Sequence, residues 1–197
     1  MSISAAQVKE LRDRTGAGML ECKRALEESK GEIEAAIDIL RAKGAAKAAK
    51  RSVRQVREGA VGSYVHMGGK IGVLVEVCCE TDFVARTDAF RELVHDLAMH
   101  IAASNPLAVT PEEIPSDIVE RERAVYSQQV AQEGKPDHLQ ERIVEGKLKK
   151  FYQDNALLQQ VFIKDTDKTV EQLVTEVSAG TGERIVVRRF ARFALGE

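Results

Sequence analysis

Two periods of apolar residues divide the chain. The first forty or so positions carry apolar side chains on a helical period, and Gly59 opens a stretch that alternates on a period of two. Ser4 and Gln7 stand at capping-box spacing, and Ile3 is placed to staple onto Val8. The helix they start stops at Thr15-Gly16, within the tight break Thr15-Gly16-Ala17-Gly18. A second helix puts Met19, Cys22, Ala25 and Leu26 on one face and ends at Lys30-Gly31. A third carries Ile33, Ala36, Ile37 and Leu40 and is expected to end at Gly44 as a left-handed cap. Residues 1–44 therefore form a small helical module near the lower size limit for an independent core, a build that suits docking better than chemistry. Residues 45–57 then interleave Lys47, Lys50, Arg51, Arg54 and Arg57 with alanines and contain no acid. That pattern predicts a solvated helical connector; the sharper alternative is a basic arm that contacts phosphate or an acidic protein surface.

In the period-two region Val61, Ser63 and Val65 alternate with Gly62, Tyr64 and His66, and Gly68-Gly69 offers a hairpin turn. Ile71, Val73, Val75 and Val77 share a face of the next strand, which is almost wholly apolar and is expected at the centre of a sheet. Ile185-Val186-Val187, continuing through Phe190 and Phe193, supplies a third strand. Between the strands, Phe90, Leu93, Val94, Leu97, Ala98 and Ile101 make the strongest helical stripe in the chain, closed by Asn105-Pro106. Residues 116–133 and 137–154 form two helices around Gly134-Lys135-Pro136 with thin stripes (Ile118 and Val125, then Leu139 and Ile143), a pair suited to project as a helical hairpin. A last helix starts at Thr169, with Gln172 at capping-box spacing, and buries Val170, Leu173, Val174 and Val177. The expected class is α+β, with a helical domain at 1–44, a basic helical linker at 45–58 and an antiparallel sheet domain with packed helices at 59–197, including the hairpin 116–154.

Composition narrows the function classes. A net charge of -2 over 197 residues gives no case for nucleic-acid or membrane binding by bulk electrostatics, and the absence of Trp makes base-stacking platforms hard to build. Cys22, Cys78 and Cys79 lack disulfide-framework spacing and fit a reducing, cytoplasmic setting. No apolar run is long enough to span a bilayer, and no secretory or transit signal is expected. Adjacent Cys78 and Cys79 point to opposite faces of a strand, so they form neither a redox pair nor a zinc knuckle. His95 and His100 lie too far apart around a helix to share a metal, and His100, at the edge of the apolar stripe, is expected to be structural. Gly16-Ala17-Gly18 follows a helix and lacks the Lys of a phosphate loop. No catalytic site, cofactor or metal is expected.

One short stretch stands out. Thr81-Asp82-Phe83-Val84 follows the central strand, and Thr81 and Asp82 are turn and cap formers able to hold a tip rigid. Burial preferences alone would place Phe83 in the core. Leu11-Arg12-Asp13-Arg14-Thr15-Gly16-Ala17-Gly18-Met19-Leu20-Glu21-Cys22-Lys23-Arg24-Ala25-Leu26 resembles the N-terminal signature of the bacterial elongation factor Ts family, and Glu76 to Arg86 resembles its second signature. The resemblance extends to Val61 to Tyr64, Ile71 to Val75, Met99 to Ala103 and Glu145 to Phe151, and so covers essentially the whole chain.

The resemblance implies a guanine nucleotide exchange factor. It would bind elongation factor Tu, both GDP-bound and nucleotide-free, displace its Mg2+, and let GTP replace GDP. The N-terminal module would be ubiquitin-associated-like and dock through Arg12, Thr15, Gly16, Ala17, Gly18 and Met19. Thr81, Asp82, Phe83 and Val84 would dislocate the partner's Mg2+, with Phe83 wedging into the side of the nucleotide pocket, which reverses its placement in the core but decides nothing for Val84. A single Tyr-bearing hairpin (Gly62 to Val75) marks the short form, which implies a homodimer and a 2:2 complex joined through a sheet surface near Ile185 to Phe193. Val161 stands where the family usually has proline. Two rivals remain at this point: a binding module joined to an unrelated sheet domain, and an RNA-binding protein using the basic connector with Arg188, Arg189 and Arg192.

Overall fold

In the computed structural model, which describes residues 3–51, 53–133 and 136–197, the capping box forms as its spacing predicts. The Ser4 hydroxyl accepts the Gln7 amide at 3.2 Å while the Gln7 side chain accepts the Ser4 amide at 3.0 Å. Two otherwise orphaned donors of α1 (Ala5–Thr15) are satisfied in this way. The helix ends at Gly16, whose φ of 65° admits a left-handed cap with its amide bonded to the Arg12 carbonyl. α2 (Met19–Glu28) is followed by a break at Lys30 and Gly31, both with positive φ. Val8, Leu11, Cys22, Ala25, Leu26, Ala36 and Ile37 make a core between these helices and the next, with Ile3 packed against it.

Gly44 does not end the third helix. α3 runs Ile33–Arg51, straight through that position. A glycine inside a helix costs roughly 1 kcal/mol relative to alanine, and the alanine-rich stretch that follows offsets this locally. The side chains of Lys47 and Lys50 lie outside the described residues, as do Ser52, Gly134 and Lys135.

In chain order there follow β1 (Glu58–Val65), β2 (Ile71–Cys79), α4 (Asp82–Ala85), α5 (Asp88–Ser104), α6 (Ser116–Gln132), α7 (Asp137–Asn155), β3 (Val161–Phe162), β4 (Asp165–Thr169), α8 (Val170–Thr181) and β5 (Val186–Ala194). The mixture of helices with an antiparallel sheet is α+β. The main sheet has three strands in the order β1-β2-β5, so the apolar β2 is central as predicted. β3 and β4 form a second, antiparallel pair that no alternation in Val161-Phe162 or Asp165 to Thr169 announces.

The residues group into two compact units. The first comprises residues 1–62, 75–96 and 172–188, and the second 63–74, 97–171 and 189–197. In the first unit, Gly62 is where strand and helix come close: a Cβ there would stand 2.2 Å from Val94 Cγ1 of α5. Gly62 therefore faces α5, and the alternation of β1 turns Val61 to the outside, where it is exposed. The valines of β1 line the open face of the strand.

In the second unit, α6 and α7 pair, and of the stripe expected from sequence Ile143 packs against the seam and Ile118 against a neighbouring cluster. Val130, Val144 and Leu148 are buried at the seam, whereas Val125 and Leu139 are exposed. A second cluster, Ala108, Ile114 and Ala156, packs with Ile118 and Phe151. His100 of α5 is fully buried, its Nε2 2.9 Å from Gln160 Oε1.

Candidate functional site

The tip begins where β2 runs out. Thr81 is extended (φ -130°, ψ 156°), and its hydroxyl accepts the Val84 amide at 3.4 Å, which makes it the N-cap of α4. Asp82 opens the short helix and pairs with Arg86 at 2.8 Å, an exposed contact that holds geometry more than it adds stability. The Thr87 hydroxyl then donates to the Val84 carbonyl at 2.8 Å and accepts the Phe90 amide, starting α5 directly behind. Within this frame the two apolar tip residues diverge. Val84 is 8% exposed and anchors the turn, while Phe83 is 78% exposed and stands at the apex.

Three elements brace the tip from behind. Cys79, at the end of β2, donates its thiol to the Thr81 carbonyl at 3.1 Å. Glu183, in the turn between α8 and β5, accepts the Glu80 and Thr81 amides with Oε2, each at 3.0 Å. Its Oε1 accepts the Thr81 hydroxyl at 2.6 Å. In return Glu80 Oε1 accepts the Arg184 amide at 2.6 Å, and this bond is the main reason the Glu80 carboxyl sits below its ordinary range. The Arg54 guanidinium, from the connector after α3, reaches Glu80 at 3.2 Å, and the Arg184 guanidinium donates to the Arg54 carbonyl at 2.6 Å. Neither Glu183 nor Arg54 stands out in the sequence as a tip residue, since Glu183 lies 102 positions from Thr81 and shares no spacing pattern with it.

Of the residues expected to dock a partner, Arg12 and Thr15 lie in the last turn of α1, Gly16, Ala17 and Gly18 in the break, and Met19 opens α2. Arg12, Gly16 and Gly18 are exposed, Thr15 and Ala17 are half-buried, and Met19 is 48% exposed. Thr15 donates its hydroxyl to the Leu11 carbonyl at 2.7 Å, and Ala17 packs against the module core. Met19 thus does not join the buried face of α2 with Cys22, Ala25 and Leu26. It stands outside that face with Leu20, which the apolar pattern did not single out and which is also exposed.

Burial pushes all three thiols up, Cys79 to about 11. They are protonated at neutral pH and have little nucleophilic character. Among the described residues, no group of His, Cys, Asp and Glu side chains is placed to hold a metal ion. No helix among them is long and apolar enough to cross a membrane.

These features define an α+β protein that exposes one large apolar residue on a braced tip and an apolar turn on a helical module. The model of the family described as Elongation factor TS matches residues 4–197. The chain is 55% identical over 196 residues to elongation factor Ts of Desulfosudis oleivorans, covering all of this chain and 99% of that one. It is 56% identical to elongation factor Ts of Geotalea uraniireducens, with 91% of that protein covered, and 55% identical to that of Fervidobacterium nodosum, covering both chains in full. The chain belongs to the elongation factor Ts family, and its role is that of a translation elongation factor.

Proposed function

We infer that this chain is a guanine nucleotide exchange factor for elongation factor Tu. It binds the GDP-bound partner, dislocates its Mg2+ with Thr81, Asp82, Phe83 and Val84, and promotes replacement of GDP by GTP. The observation that carries this reading is Phe83, a large apolar side chain 78% exposed on a capped turn. Single exposed apolar residues are common, so exposure alone says little; what supports contact here is that the ring stands on a capped turn braced by Glu183 and Glu80.

Magnesium bridges a bound nucleotide's phosphates to its protein, so moving the metal's ligands weakens everything attached to it. Bound nucleotide then weakens the factor's grip by the same factor. Burying one Phe yields about 1.5–3 kcal/mol, and each tenfold of affinity needs about 1.4 kcal/mol, so Phe83 alone accounts for about one to two decades of loosening. The rest falls to docking through Arg12, Thr15, Gly16, Ala17, Gly18 and Met19. In this reading residues 1–44 are a ubiquitin-associated-like domain, 45–58 the linker and 59–197 the sheet and dimerisation domain. Exchange makes and breaks no covalent bond, so the factor is no enzyme in its own right. It works in the cytoplasm without direct contact to nucleic acid or membrane.

The same reading includes a homodimer that engages two partner molecules. Arg192 of β5 donates to the Ala102 carbonyl of α5, so its neighbour Phe193 turns to the opposite face, where it is 73% exposed. Val65 and Leu74 are exposed in the same unit. That apolar face supports pairing with a second copy.

The test is release of labelled GDP from purified elongation factor Tu. The intact chain is expected to accelerate release. Phe83→Ala should slow the accelerated rate by about ten- to a hundredfold, with binding only partly weakened. An unchanged release rate with the intact chain overturns the exchange reading.

A further inference from the structure

Phe83 has almost no burial to hold it in place. What the turn fixes is the direction of its Cα–Cβ bond, and beside the buried Val84 the turn is held by hydrogen bonds. The Thr81 hydroxyl has one proton to give, and Glu183 Oε1 takes it at 2.6 Å. The hydroxyl's remaining capacity is as an acceptor, and it is aimed at the Val84 amide. Glu183 therefore orients the cap as well as binding it. Its other oxygen takes the two backbone amides that lead into the turn, and hydrogen bonds to an ionised acceptor are roughly twice as strong as neutral ones.

The anchor is itself held. Ser178 of α8 donates its hydroxyl to the Glu183 carbonyl, and the Ser178 carbonyl accepts the Arg51 guanidinium at 2.9 Å. One residue on, the Arg184 amide is received by Glu80. Residues 80–81 and 183–184 thus exchange carboxylate-to-backbone hydrogen bonds in both directions across the turn.

The geometry points to Glu183 as the positioning residue of the tip: acting through the Thr81 cap, it holds Phe83 at the apex in the attitude in which it engages the partner. This rests on the exchange reading for its kinetic consequence, though not for its structural one. Glu183 works through Thr81 and is distinct from the residues that touch the nucleotide's surroundings.

Glu183→Gln tests it, because the carboxamide keeps the shape but replaces one accepting oxygen with an NH2 that cannot accept. In hydrogen–deuterium exchange of the free variant, the segment 80–86 should exchange about tenfold faster or more, with α5 protected as in the parent. In GDP release, the maximal rate at saturating factor should fall about tenfold while the half-saturating concentration moves less than about threefold. A residue needed only for folding would move both together. Thr81→Val, which removes only the hydroxyl, should show the same split. Combined with Glu183→Gln it should add little, because the two losses share one hydrogen bond. Unchanged exchange in 80–86 overturns the proposal, and so do a parental maximal rate or losses that multiply. If Glu183→Gln loses protection in α5 as well, Thr81→Val carries both readouts. If the parent chain does not accelerate GDP release, the exchange reading falls, and hydrogen exchange alone decides whether Glu183 holds the turn.

Discussion

At the scale of single residues, the fold decides the ionisation of His100. Its ring is fully buried, with Nε2 facing Gln160 Oε1 at 2.9 Å and Nδ1 accepting the Ile163 amide at 3.4 Å. The Gln160 NH2 is committed to the Asp154 and Ser104 carbonyls, which leaves its Oε1 as the acceptor. The network therefore holds a neutral imidazole protonated on Nε2, and a second proton would meet the Ile163 N–H. Burial lowers the His100 pKa, with the Gln160 bond opposing only in part. The folded value lies below the unfolded one, near 6.5. The stability this contributes is full above about pH 6.5 and is lost as pH falls from there through the lowered folded value. Urea denaturation should show a lower midpoint at about pH 5.5 than at about pH 7.5, and His100→Gln should flatten that dependence. An equal slope in the variant would assign the effect to other groups. The structural role of His100 was legible from its place beside the stripe. Phe83 was not: its residue type argues for the core, and only the motif around it argued for exposure. Glu183 was invisible, because its partners come to it through the pairing of strands distant in sequence.

At the scale of elements, helical stripes and caps were the legible part. α1 lies where its capping box and period put it, and α2 and α5 where their periods do, because those signals are local. Facing was the less legible part, because it is settled by tertiary partners. The β1 valines point outward because Gly62 is the residue that fits under Val94. The α6–α7 seam centres on Val130, Val144 and Leu148, with only Ile143 of the expected stripe beside them, because two paired helices choose the stripe they share. Gly44 has the residue type of a helix stop and is a through-position. A Cβ at Gly44 would lie 4.0 Å from the Ala179 Cβ, an ordinary contact. Gly44→Ala should therefore stabilise the protein by about 0.5–1 kcal/mol in denaturant titration, since nothing among the described residues opposes it and the unfolded chain loses freedom. A destabilised variant would mean that the helix is interrupted there in solution.

At the scale of the whole molecule, the proposed homodimer sets the expected mass in solution. Sedimentation equilibrium at micromolar concentration should give about twice the 21.7 kDa chain mass. Phe193→Asp should return it towards the monomer, because a charge at that exposed ring would have to be desolvated on pairing. A 21.7 kDa species for the parent chain overturns the dimer. The buried thiols have a separate consequence, for spectroscopy. Cys22, Cys78 and Cys79 are free, shielded and protonated at neutral pH. The chain thus presents a chemically quiet background to maleimide dyes and spin labels. One cysteine introduced on an exposed helix position would take a reporter alone, so distances to the tip can be followed in real time without first stripping the native thiols from the core.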